Sequence, residues 1–237
     1  VARLMKSSNY VVNFAAETHV DRSIHTGADA FLHTNTHGVL SLLQALRSSK
    51  HIELLVHIST DEVWGDLPLA SSKKFTEGSP FRPNSPYAAS KAAGDLFVRA
   101  YKHTYDLPVI VTHSTNNFGP RQFPEKMIPF FIMRAAQGKH LPLYGDGLNR
   151  RDWLYVEDHS RAVALVLERG VSGEVYAISR EGKEYSNKGM AALVLDHVRK
   201  PRKLITFISD RPGHDRRYAV SSAKLRALGW KPRETVK

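Results

Sequence analysis

Four consecutive side chains with oxygen chemistry close an apolar run: Ser59, Thr60, Asp61 and Glu62 follow Leu54-Leu55-Val56-His57-Ile58. Adjacent carboxyl groups in unlike surroundings hold different protonation states, so one can serve as acid while the other serves as base. Tyr87 and Lys91 make a second pair; four residues apart, they share one face of a helix. A lysine that close stabilises a phenolate and lowers the tyrosine from its usual pKa of about 10, as a general base acting on a hydroxyl requires. Each pair also has a plainer reading. The first stretch fits an Asx or ST turn closing a strand, and Tyr-x-x-x-Lys occurs in helices by chance.

The elements that would carry these residues follow from periodicity. Leu54 to Thr60 reads as a buried strand, and Val11-Val12-Asn13-Phe14-Ala15-Ala16 as another that ends in small residues. His19 to Ser23 reads as a polar loop. Phe31 to Arg47 has helical spacing through Phe31, Leu32, Val39, Leu40, Leu42, Leu43 and Leu46; an Asn35 facing the sheet would need a buried partner. Residues 66–86, rich in Ser, Pro, Gly and Lys, read as a long surface loop beside the strand end. Tyr87 opens a helix whose Ala88, Ala89, Ser90, Ala92, Ala93 and Gly94 would admit another backbone or a flat cofactor ring.

Beyond it, Leu107 to Thr112 is a strand running into His113-Ser114-Thr115-Asn116-Asn117. Met127 to Ala136 is an amphipathic helix, and residues 141–147 and 150–156 are extended. Glu157-Asp158 would cap the next helix. A strand at 173–178, a helix at 187–198, a strand at 204–208 and a short helix at 221–228 complete the chain. Alternating strands and helices predict an α/β fold with a largely parallel sheet, and polar clusters at several strand ends mark a site there.

Composition narrows the partners. The 237 residues are 42% hydrophobic and 24% charged, enough core for one α/β domain or a domain with a smaller lobe. There is no cysteine, so neither a disulfide framework nor a thiolate metal site is available. No apolar run approaches the roughly 18 residues that span a membrane, and no signal-peptide pattern opens the chain, so the expectation is a cytoplasmic protein without a membrane partner. The formal net charge of +11 suits a polyanion. Without a basic stripe or groove-entering motif, a phosphorylated small molecule is expected rather than nucleic acid.

Six pieces in order resemble the extended short-chain dehydrogenase/reductase family, and within it the dTDP-glucose 4,6-dehydratases. They are Ala15-Ala16-Glu17-Thr18-His19-Val20-Asp21-Arg22-Ser23-Ile24, Ser59-Thr60-Asp61-Glu62-Val63-Trp64-Gly65, Tyr87-Ala88-Ala89-Ser90-Lys91, Asn116-Asn117-Phe118-Gly119-Pro120 with Pro124-Glu125-Lys126, residues 151–159 and residues 210–218. The resemblance implies a Rossmann-type doubly wound parallel sheet with a smaller α/β substrate-binding lobe. It implies residues 1–118 and 150–179 for the NAD-binding domain, and 119–149 and 180–237 for the nucleotide-sugar lobe. The implied reaction is NAD+-dependent 4,6-dehydration: oxidation at C4, loss of water across C5 and C6, and hydride return to C6. Tyr87, helped by Lys91 and Thr60, would take the 4-hydroxyl proton, Glu62 the C5 proton, and a protonated Asp61 would donate to the departing 6-hydroxyl.

By position, the resemblance places Ala15, Ala16, Thr34, Tyr87, Lys91 and Asn117 on NAD+. It places Thr18, Thr60, Asn116, Lys126, Met127, Pro142, Tyr144, Arg151, Asn187, Arg211 and His214 on the nucleotide-diphosphate sugar, with Arg151 and Arg211 facing the diphosphate. It implies no metal, and it implies a homodimer through the Tyr87 helix and the Phe31–Arg47 helix. The residues alone leave other readings open: Arg151 pairing with Asp152 or Glu157, Asn187 capping a helix, and overall a nucleotide-sugar epimerase, another sugar dehydratase or a non-catalytic nucleotide-sugar binder. The family's opening Gly-x-x-Gly-x-x-Gly turn does not occur in these residues, which predicts a sheet lacking its N-terminal phosphate-loop unit. Trp64 and Phe118 stand where the family more often has tyrosine, Ala177 where it has asparagine, and Ser179-Arg180-Glu181-Gly182 replaces a glycine-rich loop.

Overall fold

The structure is a computed structural model and describes residues 2–236. In chain order it runs α1 (Ala2–Met5), β1 (Tyr10–Asn13), α2 (Val20–His25), α3 (Asp29–Phe31), a π-helical segment (Leu32–His37), α4 (Gly38–Arg47), β2 (Leu54–Thr60) and a 3-10 turn (Asp61–Trp64). Then come α5 (Pro86–Tyr105), β3 (Val109–Ser114), β4 (Asn116–Phe118), α6 (Met127–Ala136), β5 (Leu141–Tyr144), β6 (Arg150–Arg151), β7 (Trp153–Tyr155) and α7 (Val156–Arg169). The rest is β8 (Val175–Ile178), β9 (Tyr185–Ser186), α8 (Asn187–His197), a 3-10 turn (Arg202–Leu204), β10 (Ile205–Ile208) and α9 (Ala223–Ala227).

The main sheet has the order β1-β2-β3-β8 with every pair parallel, Val12 opposite Val56 and Val56 opposite Ile110. Alternation along the strands builds two apolar layers. Leu54, Val56, Ile110 and Ile178 face Ala162, Val163 and Val166 of α7. Leu55, Val109 and Val111 face Val39, Leu43 and Leu46 of α4 and Val98 of α5. Helices on both faces bury these strands twice over, which is why they read as continuous apolar runs. The sheet is Rossmann-type, and its carboxyl ends point one way.

A smaller lobe stands beside those ends. β5 and β10 pair in parallel, and Phe131 of α6 with Ala191 and Leu195 of α8 packs on Leu141 and Leu143. Two short ladders, β4 with β7 and β6 with β9, join the lobe to the sheet. Leu225 and Trp230 near the C-terminal end pack back into the α7 layer. Among the described residues no helix is long and apolar enough to cross a membrane.

Local chemistry moved several boundaries. Residues 20–25 are helical rather than looped, because the His19 Nδ1 accepts from the Arg22 amide at 3.3 Å and caps them. β1 stops at Asn13, whose Oδ1 accepts from the Ala15 amide at 3.2 Å and turns the chain off the sheet. The expected Phe31–Arg47 helix widens to π geometry over Leu32–His37, which turns Asn35 and Thr36 inward. Asn35 takes the Glu17 amide at 2.9 Å and gives to the Glu17 carbonyl at 3.0 Å and the Ser90 hydroxyl at 2.9 Å, so its required buried partner is a loop and a helix rather than the sheet. Glu157 and Asp158 lie inside α7 instead of capping it; the Asp158 carboxylate accepts the Arg233 and Glu234 amides at 2.8 and 2.9 Å.

Candidate active site

The end of β2 is shaped by a turn, and the turn separates the carboxyl groups. Thr60 is extended (φ −137°) and caps the Asp61–Trp64 turn, its hydroxyl oxygen accepting from the Glu62 amide at 3.4 Å. Gly65 closes the turn at φ 80°, where a Cβ would stand 2.2 Å from the Arg82 carbonyl oxygen. The ST-turn reading and the chemical reading therefore hold together: the turn buries Asp61 to 2% exposure and aims Glu62 at a cleft.

Their surroundings differ accordingly. Burial first, and the Glu62 charge second, push the Asp61 carboxyl well above the usual carboxylate range. Its Oδ2 has no hydrogen-bond partner among the described residues, as fits a protonated acid waiting for an acceptor. Burial also raises Glu62, but Arg211, Arg151 and Lys126 pull it back toward ionisation. Both carboxyls are raised, Asp61 by the larger step, because cations offset the burial of Glu62 more than that of Asp61.

Helix α5 delivers the second pair. Ser85 caps it through the Ala88 amide at 3.1 Å, and Pro86 occupies the first turn, where its missing N–H costs nothing. Tyr87 and Lys91 face the end of β2, and the Lys91 Nζ donates to the Ile58 carbonyl at 2.7 Å. The expectation that Lys91 lowers Tyr87 is not met. Burial, followed by the Glu62 charge, drives the phenol above its usual range, and Thr60 offsets only part of this. Loss of solvent is the main reason, and the negative field of the carboxyl pair adds to it by opposing a second anion.

Beside β2 lies a cleft of about 440 Å³ between sheet and lobe. Thr18, Glu62, Asn116, Lys126, Met127, Pro142, Tyr144, Arg151 and Arg211 line it, gathered from residues more than a hundred apart. Arg151 meets neither Asp152 nor Glu157. Three backbone carbonyls, Arg150, Arg216 and Asp215, hold its guanidinium at 2.8, 3.4 and 2.8 Å, and it lies 4.2 Å from the Tyr218 ring centre. A cation fixed by carbonyls keeps its charge available to an anion. Lys126 reaches the Thr18 carbonyl at 2.8 Å, and Arg211 the Asp21 carboxylate at 3.1 Å.

Three expected residues stand apart from that wall. Thr60 ends β2 and caps the turn that carries Glu62. Asn187 is the first residue of α8, and the cap is Ser186, whose hydroxyl oxygen accepts from the Gly189 amide at 3.0 Å. His214 bonds Asp210 at 2.6 Å and packs edge-on against Tyr144, bracing a wall residue. The wall also includes Asp21, which holds Arg211 and receives the Tyr144 hydroxyl at 3.2 Å, and Tyr218, beneath Arg151. Both belonged to recognised stretches, but nothing in their spacing set them apart.

Around the strand ends, Ala15 and Ala16 follow β1, Thr34 lies in the π-helical segment, and Asn117 lies in β4. Asn117 Oδ1 has no partner among the described residues, and Lys91 has used one of its three N–H groups. The unspent polar groups of Asn117 and Lys91 fit a dinucleotide carrying ribose hydroxyls. No group of three or more His, Cys, Asp or Glu side chains that would hold a metal occurs among the described residues.

Comparison with known proteins agrees with this geometry. The GDP-mannose 4,6 dehydratase family matches residues 1–237. The low-salt glycan biosynthesis protein Agl12 of Haloferax volcanii is 49% identical, over 97% of this chain and 72% of that protein. The dTDP-glucose 4,6-dehydratase 1 of Escherichia coli K12 is 47% identical, over 95% of this chain and 68% of that protein. The crystal structure of DesIV, a dTDP-glucose 4,6-dehydratase from Streptomyces venezuelae with NAD and TYD bound, superposes with a TM-score of 0.94 at 45% identity, covering 99% of this chain and 71% of that one.

Proposed function

The chain belongs to the GDP-mannose 4,6 dehydratase family, and on that premise we propose that it catalyses the NAD+-dependent 4,6-dehydration of dTDP-glucose to dTDP-4-keto-6-deoxyglucose. The observation that carries this reading is the unlike carboxyl pair: Asp61 enclosed and pushed well above the usual carboxylate range, Glu62 turned to a cleft with Arg151, Arg211 and Lys126. An epimerase would leave both carboxyl groups without work.

Each residue then has a task. Tyr87 acts in its phenolate form, formed against the burial that raises it, and accepts the proton of the sugar 4-hydroxyl, with Thr60 bonded to the same oxygen and Lys91 supplying positive charge. The new ketone acidifies C5, and Glu62 removes that proton. Asp61 gives its proton to the 6-hydroxyl, which leaves as water. NAD+, held by Ala15, Ala16, Thr34, Tyr87, Lys91 and Asn117, supplies hydride acceptance at C4 and donation at C6. Arg151 and Arg211 bind the diphosphate; Thr18, Asn116, Lys126, Met127, Pro142 and Tyr144 place the sugar and nucleoside, and Asn187 and His214 support that wall. The family's glycine-rich turn is not among these residues, so pyrophosphate contacts of NAD+ are assigned to none of them.

Residues 1–118 and 150–179 form the cofactor domain in this reading, and 119–149 and 180–237 the sugar lobe. A homodimer through α5 and the helical stretch of residues 31–47 completes it. The deciding test is incubation of the protein with dTDP-glucose and NAD+, read by NMR for a new C6 methyl group. Folded protein that yields none overturns the assignment.

A further inference from the structure

The buried face of α5 carries a third polar residue one turn beyond Lys91, and the reaction as assigned does not use it. Asp95 is 3% exposed, inside the layer between α5 and the sheet. Its Oδ2 accepts from the Ser59 hydroxyl at 2.7 Å and stands 2.9 Å from the His113 Nε2. Its Oδ1 stands 3.4 Å from the His57 Nε2. Asn13 closes the chain: its amide nitrogen lies 3.1 Å from the His57 Nδ1, which fixes the proton on Nε2, toward Asp95. Four elements, β1, β2, β3 and α5, thus meet at one carboxylate.

Burying a carboxylate is costly unless it is paired and hydrogen-bonded. Apolar side chains would fill this layer more cheaply, as they do one strand pair away. Burial alone would raise Asp95, yet the charge and hydrogen bond of His113, and then the N–H of His57 facing it, bring it below the usual carboxylate range, so it is an anion at neutral pH. Burial lowers His57, which stays neutral. Lys91 is the cation with most to gain: burial lowers its ammonium, and Asp95 opposes that fall. Ser59 adjoins Thr60 and follows Ile58, whose carbonyl Lys91 holds, so through Ser59 the carboxylate anchors the strand end that carries Thr60 and the seat of Lys91.

We propose that Asp95 is a positioning residue for the reaction: its carboxylate, gripped by Ser59 and His113 and faced by His57, keeps Lys91 charged and seated on β2 beside Tyr87. The groups facing this pair are His57 and Ser59 from β2, His113 from β3, Asp61 and Glu62 from the turn, and Tyr87 from α5. Behind it, a cavity walled by Asp95 and His113 has Arg99, Lys102, His103, Asp106 and Glu174 along its lining. Lys102 is engaged by Asp106 at 2.6 Å. The link to catalysis rests on Tyr87 being the base of the proposed dehydration; the link to Lys91 does not.

The test reads Lys91 directly. The Cε of Lys91 is titrated by NMR in the full chain with isotope-labelled lysine, its signal assigned by its loss in Lys91→Met. In Asp95→Asn, which keeps the size and one acceptor, the Lys91 titration should fall by about one pH unit or more, a tenfold loss of proton affinity. An unmoved titration in folded protein overturns the proposal. Should Asp95→Asn not fold, Asp95→Asn with His113→Asn lets two amides pair where the carboxylate and imidazole stood, and is read the same way. With dTDP-glucose and NAD+, the alkaline limb of bound NADH formation should move down with the Lys91 titration. A rate merely scaled at every pH means a structural role and overturns the catalytic part. Wild-type protein that titrates as expected but forms no 4-keto-6-deoxy product refutes the dehydratase reading and leaves the Asp95–Lys91 coupling standing.

Discussion

Asp61 and Glu62 are neighbours in the chain, yet one is sealed from solvent and the other opens on a cleft with three cations. That difference predicts how elimination depends on pH. Glu62 must be ionised to take the C5 proton, so the rate falls as pH drops through its raised pKa. Asp61 must be protonated to serve the leaving hydroxyl, so the rate also falls as pH climbs through its own, higher pKa. The profile of product formation is a bell whose acid limb belongs to Glu62 and whose alkaline limb belongs to Asp61, with some mixing because the two interact. Glu62→Gln should keep C4 oxidation and slow elimination by about 10²–10⁴-fold, so bound NADH accumulates at 340 nm. Rapid turnover in that variant would remove Glu62 as the C5 base. At this scale the sequence disclosed the carboxyl pair, Tyr87 and Lys91 by type and spacing. It misjudged Tyr87, because the burial that raises the phenol, with the Glu62 charge behind it, exists only once β2 and α5 are packed together.

Helix α5 meets the π-helical segment closely, and one glycine makes that possible. A Cβ on Gly94 would stand 2.7 Å from the Asn35 carbonyl oxygen and 3.4 Å from the Val39 Cγ2. The first contact is with backbone, so relief requires a helix to move rather than a side chain to turn. Gly94→Ala gains about 1 kcal/mol of helix propensity but should lose about 1–3 kcal/mol to overpacking, a net fall in denaturant midpoint of the folded protein. A midpoint that rises would show that α5 has room the structure denies. The same shift would loosen the Asn35 bonds to Glu17 and Ser90, and with them the loop carrying Ala15, Ala16 and Thr18. The run of small residues announced a close approach in the sequence. The π geometry was hidden, since apolar spacing over 31–47 fits an α-helix nearly as well and the inward turn of Asn35 depends on a partner fifty-five residues later.

Across the whole molecule, the positive charge and the exposed apolar side chains make opposing demands on assembly. The +11 charge was legible as a call for a polyanion, but not which cations would answer it. Arg216 and Arg217 are spent on Asp146 and Glu184, whereas Arg151 is held by carbonyls and retains its field. Pairing of that kind is set by contacts between distant loops, which no local pattern records. On the outer face, Leu32 is 48% exposed, Leu96 52% and Phe97 37%, on the π-helical segment and α5. Large apolar groups gathered on one surface are covered in most stable proteins. The proposed homodimer through this face would bring two strongly basic chains together, with Arg99 on α5 among the charges. Added salt screens that repulsion and leaves apolar contact intact. The expected result in sedimentation is a dimer that tightens as salt is raised, and a monomer for Leu96→Glu with an unchanged helical spectrum. A dimer that dissociates in salt would point to charged contacts as its bond, and a wild-type monomer at every salt concentration would leave Leu96 and Phe97 facing water.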